Sequence, residues 1–444
     1  MSPSAIARDS VGIFALRILL YAATFLTGVV VSRALGPTGR GEYYLPYLGA
    51  VTLVTVAKLG IDNGALVLYG QGRYGLGPLW HIVRRVSWAG GVVGIALLVA
   101  SPWLLPSVYR DAATGMLLLA AVTIPLQMET LLGGGLLLLA GNALVQFRGA
   151  LLGVLLQAAL LAVLWAVPGL SPTLVLVSGL AGALATWSVI VRHCNRFPHG
   201  SVPRHWLRDV LAASLPLHVS SMLLWLHLRV DMFMVSAIGG VAMVGLYSLA
   251  VMLAETVQMA TDAVGTALTP RQATGQLQDA AHLALLGARV NTIIGGLVAL
   301  GWALVAPVAV PLVFGRSFQE AVPPLLFLLP GMVVFGWQRS CGTAIVRAGQ
   351  PWRIVAIHGA SLVLNAALNV WLIPRYGASG SAIASSASYL LSAVALLTWT
   401  VRLAQASPGD VFPKVADVAL LSRGLLRLLS RSAALPGESE RSTS

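Results

Sequence analysis

A stripe of polar residues runs through one apolar segment of the chain, residues 211–238. His218 and Arg229 are eleven residues apart, about three helical turns, so they share one face of a helix with Ser214 and Trp225. A guanidinium presents a fork of donors that fits phosphate oxygens. The stripe is therefore a candidate anion-binding site, and an anchoring network at the end of the helix is the alternative for Arg229.

Three acidic residues inside apolar segments are candidates for coupling an ion to a movement of the protein. Asp231 follows His227 by four residues on a second face of the same segment, where a structural pair fits the spacing as well as a protonation site does. In the next apolar segment, Glu255 and Asp262 share a face with Gln258. Because an ionised carboxylate is costly in hydrocarbon, a proton or sodium ion that neutralises Glu255, Asp262 or Asp231 is one interpretation. A carboxylate held by a buried arginine is the other.

Further cationic side chains lie inside apolar segments. Arg17 and Arg289 occur early in their segments, and each either lines a cavity or extends its guanidinium to the water interface. Lys58 and Asp62, four residues apart, are mainly interpreted as a structural ion pair. The predicted substrate-binding residues are Arg17, His218, Arg229, Arg289 and Arg339.

The chain that carries these residues is too apolar for a soluble protein. Of its 444 residues, 57% are hydrophobic and 10% charged, and the mean hydropathy is +0.84. The 28 Lys and Arg against 15 Asp and Glu give a net charge of +13, but no long hydrophilic stretch offers a surface to nucleic acid. Neither lysine, Lys58 or Lys414, follows an ATP-binding GxxxxG pattern. Cys194 and Cys341 are too far apart for a CxxC redox pair or a cysteine-rich zinc site. No cofactor and no metal are predicted.

Apolar runs long enough to cross about 30 Å of hydrocarbon recur along the whole chain. Twelve are predicted, roughly Val11 to Ser32, Tyr43 to Tyr69, Ile82 to Leu104, Ala113 to Leu139, Phe147 to Val167, Pro172 to Val191, Leu211 to Ile238, Met243 to Thr269, Leu283 to Ala306, Val322 to Val346, Ile354 to Ile373 and Ser379 to Val401. Of the Lys and Arg residues between spans, one side of the membrane receives only Arg33, Arg40, Arg110, Arg316 and Arg375. Because cytoplasmic loops attract positive charge, both termini are predicted to be cytoplasmic.

The spans divide into two sets of six. The predicted organisation is an N-terminal six-helix bundle over 1–192, a basic cytoplasmic linker over 193–210, a C-terminal six-helix bundle over 211–402 and a cytoplasmic tail over 403–444. In the tail, 418–431 is predicted to be an amphipathic interfacial helix, and the end of the chain is predicted to be disordered. The expected fold is an all-α integral membrane protein with two homologous bundles around a central cleft.

An internal repeat supports this division. A shift of 204 residues aligns six identical residues, Val31, Ser32, Gly36, Gly41, Tyr43 and Leu45 with Val235, Ser236, Gly240, Gly245, Tyr247 and Leu249. Both segments cover the end of an odd span and the start of the next, so the repeat is parallel. Two like bundles are typical of a transporter in which the halves rock about a cleft.

Four segments resemble a known family: SRALGPTGRGEYYLPYLGAV from Ser32, KLGIDNGAL from Lys58, RVDMFMVSAIGGVAMVGLYSLAVMLAE from Arg229 and LIPRYGASGSAIASSASYLL from Leu372. They are similar to the polysaccharide transporter family of O-antigen and exopolysaccharide flippases. Its superfamily also holds the multidrug and toxin extrusion exporters and the lipid II flippases. These motifs are small-residue turns and helix starts, so they carry no catalytic residue and say little about the sugar.

The resemblance implies a flippase that moves a polyprenyl-diphosphate-linked oligosaccharide across the cytoplasmic membrane by alternating access. Its partners would be that glycan, membrane lipids, and a polymerase and glycosyltransferases of surface polysaccharide biosynthesis. The alternative is a cation-coupled multidrug or metabolite exporter of the same superfamily. A membrane polymerase or ligase would ordinarily have a sizeable charged outer loop, so we expect no enzyme. The Arg, Ala and Gly content suggests a GC-rich bacterial genome and hence the bacterial inner membrane.

Overall fold

The computed structural model describes residues 3–110, 112–166, 169–273, 276–419 and 421–422. This part of the chain is almost entirely helical and contains no strand. The α-helices are α1 (Pro3–Ala57), α2 (Ile61–Gly70), α3 (Leu76–Val99), α4 (Ser101–Leu104), α5 (Pro106–Tyr109), α6 (Thr114–Leu139), α7 (Ala143–Ala166), α8 (Pro172–Cys194), α9 (Trp206–Gly239), α10 (Val241–Ala273), α11 (Leu277–Phe314), α12 (Val322–Arg347) and α13 (Pro351–Ala404).

Ten helical stretches of the described residues are long and apolar enough to cross a membrane. Two of them contain a glycine outside helical geometry, Gly36 in α1 (φ 65°, ψ −174°) and Gly377 in α13 (φ 56°, ψ −137°). A positive φ costs glycine little, so each helix breaks there into two segments. Ten stretches with two breaks correspond to the twelve predicted spans.

The helices extend beyond the predicted spans where the chain leaves hydrocarbon. The ninth predicted span, Leu283 to Ala306, lies within the longer α11, which has 38 residues. Arg40, assigned from the sequence to a connection between spans, is instead part of α1 and is only 2% exposed. Hydropathy locates the apolar core of a span, whereas helical hydrogen bonding continues into polar residues.

The described residues form two compact units. The first takes its residues from Met1–Leu253, Leu304–Leu328 and His358–Ser388, and the second from Ala254–Ala303, Leu329–Ile357 and Tyr389–Ser444. These units do not follow the predicted boundaries between six-helix bundles, and that division of the chain stays a prediction.

In the first unit, glycines allow helices to approach closely. A Cβ on Gly91 of α3 would lie 2.6 Å from the Cβ of Pro125 in α6, and one on Gly94 would lie 3.1 Å from Ile124. Leu79 and Leu117 are fully buried in the same apolar cluster. Small residues at helix interfaces are typical of membrane proteins, since packing replaces the hydrophobic effect as the driving force there.

In the second unit, α11 and α12 are joined by a buried amide. Asn291 Nδ2 donates to the backbone oxygen of Gly336 at 2.7 Å and to Ser340 Oγ at 3.3 Å. Ala288 and Cys341 are buried in the adjoining apolar cluster. A buried polar side chain of this kind aligns neighbouring helices because its hydrogen bonds have few alternatives in hydrocarbon.

The sequence repeat has a structural counterpart within the first unit. Gly36 and its equivalent Gly240 both have positive φ, 65° and 80°. A Cβ on Gly41 would collide with the carbonyl oxygen of Val241, and a Cβ on Gly245 would collide with that of Pro37. Val241 is the repeat equivalent of Pro37, so the two copies make the same contact reciprocally, and only glycine fits at both positions.

The predicted linker packs against an earlier loop. Its helix-free part is 195–205, between α8 and α9. Just after it, Asp209 accepts a hydrogen bond from Tyr74 Oη at 2.8 Å and pairs with Arg73 at 3.1 Å. The hydrogen bond from Tyr74 and the charge of Arg73 lower the pKa of Asp209, while burial and this carboxylate raise the pKa of Tyr74.

The C-terminal segment after α13 is held to α11. The Arg289 guanidinium donates to Asp417 Oδ2 at 2.8 Å, to Asp417 Oδ1 at 3.2 Å and to the Asp410 carbonyl at 2.9 Å. Lys414 pairs with Asp410 at 2.7 Å and, by this hydrogen bond, lowers the pKa of that carboxyl to about 2. Residues 415–419 are helical, whereas most of the predicted interfacial helix and the end of the chain lie outside the described residues.

Candidate functional site

A carboxylate is buried among hydroxyl groups in the first unit. Asp231 of α9 is 1% exposed. Its Oδ2 accepts hydrogen bonds from Tyr247 Oη of α10 at 2.7 Å and from Ser385 Oγ of α13 at 2.8 Å, and its Oδ1 accepts one from the Met232 backbone N–H at 2.8 Å. Three helices therefore meet at one acidic group, and none of these three hydrogen bonds comes from an arginine.

The network continues along α13. Asn365 Nδ2 donates to Ser385 Oγ at 3.2 Å and to Ser388 Oγ at 3.1 Å. Asn369 Nδ2 donates to the Asn365 side chain at 2.9 Å, and its Oδ1 accepts from Ser381 Oγ at 2.7 Å. All of these side chains are fully buried. Asn365 and Asn369, in the eleventh predicted span, are thus hydrogen-bonded to serines of the twelfth.

The break at Gly377 makes this network possible. In a straight helix, Asn369 and Ser381 would be about 18 Å apart along the axis. Their side chains form a hydrogen bond, so the chain reverses at Gly377 and the two segments of α13 pack side by side. Ser381, Ser385 and Ser388 share one face of the second segment, and this face then meets the asparagines of the first.

Histidine and aspartate of α9 face the same part of α13. His227 Nε2 lies 2.9 Å from Ser388 Oγ, one helical turn from the Asp231 to Ser385 bond. The shared face predicted for His227 and Asp231 is therefore present, and each residue contacts its own serine. A carboxylate with serine, tyrosine and asparagine oxygens around it is the set of ligands that hard cations prefer, and equally one that can accept a proton.

The polar stripe of α9 faces the second predicted span. A Cβ on Gly60, which has φ 72°, would lie 2.8 Å from both His218 Cβ and Ser214 Oγ. Trp225 Nε1 donates to Thr52 Oγ1 at 3.2 Å. The guanidinium of Arg229 lies over the Trp225 ring, 5.1 Å from its centroid. These residues share one helix face as predicted, and their substrate-binding role stays a proposal.

The other predicted arginines occupy different surroundings. Arg17 is exposed, with its guanidinium 5.0 Å from the centroid of the Phe147 ring. Arg289 is bonded to Asp417, as described above. Arg339 lies 3.6 Å from Asp262, and both side chains are about half exposed. Two residues predicted for different roles, substrate binding and ion coupling, are thus one ion pair. Glu255 is partly buried in α10.

A second buried carboxylate lies in the first unit. Glu129 of α6 is 1% exposed and accepts hydrogen bonds from Trp88 Nε1 at 3.2 Å and Trp187 Nε1 at 2.6 Å. Arg84 Nε lies 3.4 Å away. Two indole donors and a guanidinium satisfy this carboxylate fully, which indicates a structural role.

Arg40 is buried at the reciprocal glycine contact without a carboxylate partner among the described residues. Its Nε donates to Ser248 Oγ at 2.9 Å, its Nη1 to Ser32 Oγ at 2.7 Å, and its Nη2 lies 3.7 Å from Met252 Sδ. A buried charge compensated only by hydroxyls is costly. Burial of the Arg40 charge therefore destabilises the contact between the repeats.

An apolar groove of about 510 Å³ lies in the first unit between α1, α3 and the start of α9. Leu53, Val56, Val93, Leu97 and Trp206 are among its lining residues, and Arg85 is the charged member. Hydrocarbon fits such a groove, and an anionic group fits the position of Arg85.

Sequence reasoning missed Tyr247 and the serines of the network. A signal was present for the serines, because 381, 385 and 388 follow i, i+4, i+7 within an apolar helix. Tyr247 was visible only as one of the repeat identities. Among the described residues, no group of three or more His, Cys, Asp or Glu side chains is arranged to hold a metal ion.

The helices are those of a multi-pass membrane protein, and solved membrane transporters have a similar fold. The fold is similar to an inward-facing multidrug resistance MATE family transporter of the MOP superfamily, with TM-score 0.67, 16% identity, and coverage of 87% of this chain and 94% of that one. It is also similar to the lipid II flippase MurJ in an inward closed conformation, with TM-score 0.68, 12% identity, and coverage of 97% and 94%. A MOP superfamily transporter from Pyrococcus furiosus aligns with TM-score 0.61, 14% identity, and coverage of 90% and 95%.

The chain itself belongs to the family described as "Polysaccharide biosynthesis protein", whose sequence pattern matches residues 83–323. Among curated protein sequences, none matches the chain significantly. The suspected relationship to polysaccharide transporters of this superfamily is confirmed, as is the all-α membrane fold. The similar structures named above are of two transporters and a flippase, in agreement with the expectation that the chain is not an enzyme.

Proposed function

We propose that the protein flips a polyprenyl-diphosphate-linked oligosaccharide from the cytoplasmic to the outer leaflet for surface polysaccharide biosynthesis, such as O-antigen or exopolysaccharide. The observation that carries this proposal is the match to a polysaccharide biosynthesis family on a fold shared with a lipid II flippase. No covalent chemistry is needed, because the reaction moves an amphipathic molecule between leaflets. The proposed location is the bacterial inner membrane with both termini in the cytoplasm, which follows the distribution of Lys and Arg.

The arginine and aromatic face of α9 is the proposed contact for the diphosphate. Arg229 is partly buried and stacks on Trp225, so its guanidinium is held in place before a ligand arrives. The apolar groove is the proposed position of the polyprenyl chain, since apolar side chains make up most of its lining and Arg85 is its one charged lining residue. Arg17 and Arg339 are proposed as additional contacts along the pathway, because Arg17 is exposed and the Arg339 side chain is 53% exposed.

Asp231 is the proposed ion-coupling residue. A carboxylate that is 1% exposed within a membrane helix strongly favours neutralisation, and a proton or a monovalent cation supplies it. Binding on one side of the membrane and release on the other would link a gradient to the movement of α9, α10 and α13, which the carboxylate joins. Asp262 is a weaker candidate because it is half exposed and paired with Arg339, and Glu255 is partly buried.

Alternating access would require the reciprocal glycine contact to open and close. The two repeat copies meet there through Gly41 and Gly245 at the end of the spans predicted to face outward. Partners of the pathway, a polymerase and glycosyltransferases, would act on the glycan before and after it is flipped. The alternative, a multidrug or metabolite exporter, is favoured by the likeness to a multidrug resistance transporter.

Gene deletion followed by analysis of polyprenyl-linked sugars tests the proposal. We expect the complete lipid-linked oligosaccharide to accumulate in the cytoplasmic leaflet and surface polymer to disappear. Arg229→Gln should fail to restore export, whereas Arg375→Gln should restore it. The control is matched, because Arg375 also lies over a tryptophan four residues earlier, Trp371, at 4.8 Å from its centroid.

The ion-coupling step is tested with Asp231→Asn against Asp410→Asn, the same change at a partly exposed carboxylate outside the spans. In proteoliposomes, Asp231→Asn should abolish the response of flipping to an imposed pH or sodium gradient while Asp410→Asn leaves it unchanged. Normal surface polymer in the deletion strain, together with increased sensitivity to cationic drugs, would instead establish the exporter.

A further inference from the structure

Two arginines converge on one tryptophan in the second unit. The guanidinium carbon of Arg353, at the start of α13, lies 3.4 Å from the centroid of the Trp399 ring, and that of Arg402, in the last turn of α13, lies at 5.7 Å. Trp399 Nε1 donates to Gln350 Oε1 at 2.9 Å, which fixes the orientation of the ring. The cluster is thus built before any ligand arrives, with both cations placed by the same aromatic surface.

The positive charge of this cluster is not neutralised by the described part of the chain. Arg353 and Arg402 are exposed, and neither forms an ion pair with a carboxylate of the described residues. The adjacent C-terminal segment contributes Val411 to the apolar core that also contains Trp399. The carboxylates of this segment are paired with other residues, Asp410 with Lys414 and Asp417 with Arg289. Two cations beside one aromatic ring, with no carboxylate among the described residues to neutralise them, favour the binding of an anion.

The cluster has the composition of a membrane interface. Trp352, next to Arg353, is 55% exposed, and tryptophan is enriched where hydrocarbon meets the headgroups. Both arginines lie at the ends of the last two spans that are predicted to face the cytoplasm. Basic clusters in this position attract the phosphates of anionic lipids.

We propose that Arg353, Trp399 and Arg402 form a binding site for the phosphate headgroup of an acidic phospholipid. The two guanidinium groups donate to the phosphodiester oxygens, and the acyl chains lie along the apolar surface that begins at Trp352. A lipid fits this position better than a soluble anion, because an exposed tryptophan beside the charges gains a hydrocarbon neighbour. The site does not depend on the transported substrate, so the proposal stands apart from the flippase function.

Arg375, in the first unit, is a matched control. Arg375 lies 4.8 Å from the Trp371 ring, but it is a single arginine and its Nη1 donates to the Trp371 backbone oxygen at 2.6 Å. It has the cation and the aromatic ring without a second guanidinium. Substitution of Arg375 therefore removes one positive charge, as substitution of either arginine in the cluster does, but it leaves the proposed site intact.

Native mass spectrometry of the full-length protein tests the proposal, with mixed micelles of phosphatidylglycerol and phosphatidylcholine as the lipid source. Wild type should retain phosphatidylglycerol in preference to phosphatidylcholine. The Arg353→Gln/Arg402→Gln variant should bind it about 30-fold more weakly, given about 1 kcal/mol for each arginine near a lipid surface. Arg375→Gln should bind as wild type does. Equal thermal midpoints in phosphatidylcholine micelles would show that the variants are folded.

Three results would overturn the proposal: no preference of wild type for phosphatidylglycerol, unchanged retention by the double variant, or equal loss in Arg375→Gln. Displacement of phosphatidylglycerol by millimolar inorganic phosphate would also overturn it, because the site would then be one for a free anion. If the double variant does not fold, Arg353→Lys/Arg402→Lys serves instead. It keeps the charge but loses the planar fork, and should show an intermediate loss; retention equal to wild type would refute the bidentate contact.

Discussion

Replacement of Arg289 by glutamine should release the C-terminal segment from α11. The guanidinium makes three hydrogen bonds to that segment, two to the Asp417 carboxylate and one to the Asp410 carbonyl. The Arg289 side chain is 14% exposed and that of Asp417 is 5% exposed, so water replaces these contacts poorly. Glutamine is too short to reach both acceptors and leaves the carboxylate without its cation.

The expected cost follows from this burial. Removal of one partner from a buried ion pair costs about 3–5 kcal/mol, and the residual exposure of Arg289 favours the lower value. A loss of about 3 kcal/mol corresponds to about a 150-fold increase in the population with the segment detached. Asp417→Asn should give a similar increase, because it breaks the same contact from the other side.

Amide hydrogen exchange over residues 405–419 of the full-length protein measures this population. Lys414→Met is the matched control, since Lys414 pairs with Asp410 near the surface and should change protection by less than tenfold. Unchanged protection in Arg289→Gln would refute the argument. A flipping defect in Arg289→Gln that Asp417→Asn does not reproduce would instead favour direct substrate binding by Arg289.

The same contact predicts a dependence on pH. Burial is the largest single influence on the pKa of Asp417 and acts to raise it. The hydrogen bonds from Arg289 and from the Lys414 backbone, together with the charges of both side chains, outweigh burial, so the pKa is lowered. A carboxyl whose pKa is lower when folded contributes stability above its unfolded pKa of about 3.9 and loses it as the pH falls through the folded value. Protection should therefore be constant from neutral pH to about pH 5 and decrease below about pH 4, and Arg289→Gln should abolish this decrease.

Three further perturbations test other contacts. Gly41→Ala and Gly245→Ala should each weaken the contact between the repeats by about 1–3 kcal/mol, and the double variant should not lose the sum of the two. Thiol labelling of Ser248→Cys measures this loss, because both native cysteines are buried. Arg40→Met should raise the thermal midpoint, because it removes a buried charge that only hydroxyls and a thioether compensate; a lower midpoint would contradict this reasoning. Glu129→Gln should destabilise the protein by about 2 kcal/mol in a thermal melt. The amide oxygen accepts from one indole N–H, but the amide NH2 faces the other indole donor to donor. An unchanged melt would show that the indoles do not depend on the carboxylate.

The spans were predictable because an apolar run of sufficient length is a local property of the sequence. The breaks at Gly36 and Gly377 lie between predicted spans, but which residue adopts the positive φ was harder to predict, and Gly36 was marked only by the repeat. Hydropathy places a helix in the membrane, but it does not distinguish a loop from a glycine with positive φ inside a continuous helix.

The side-chain partners were largely not predictable. Arg289 was interpreted through its position early in a span, whereas its contact is with Asp417, 128 residues later in the chain. Asp231 and His227 were recognised from their spacing, but the serines that form hydrogen bonds with them lie more than 150 residues later in the chain. Periodicity determines which residues share a face of one helix, and the packing of other helices determines what that face meets.

The reciprocal contact of Gly41 and Gly245 has the form of an isologous dimer interface within a single chain. In such an interface, residue i of one copy meets residue j of the other, and j meets i in return, as Gly41 with Val241 and Gly245 with Pro37 do. Two identical polypeptides of half this length could make that contact through the same surface. The geometry is therefore what a duplication and fusion of a symmetric homodimer would leave behind, and it explains why both glycines are retained while Arg40, whose repeat equivalent is Val244, belongs to one copy alone.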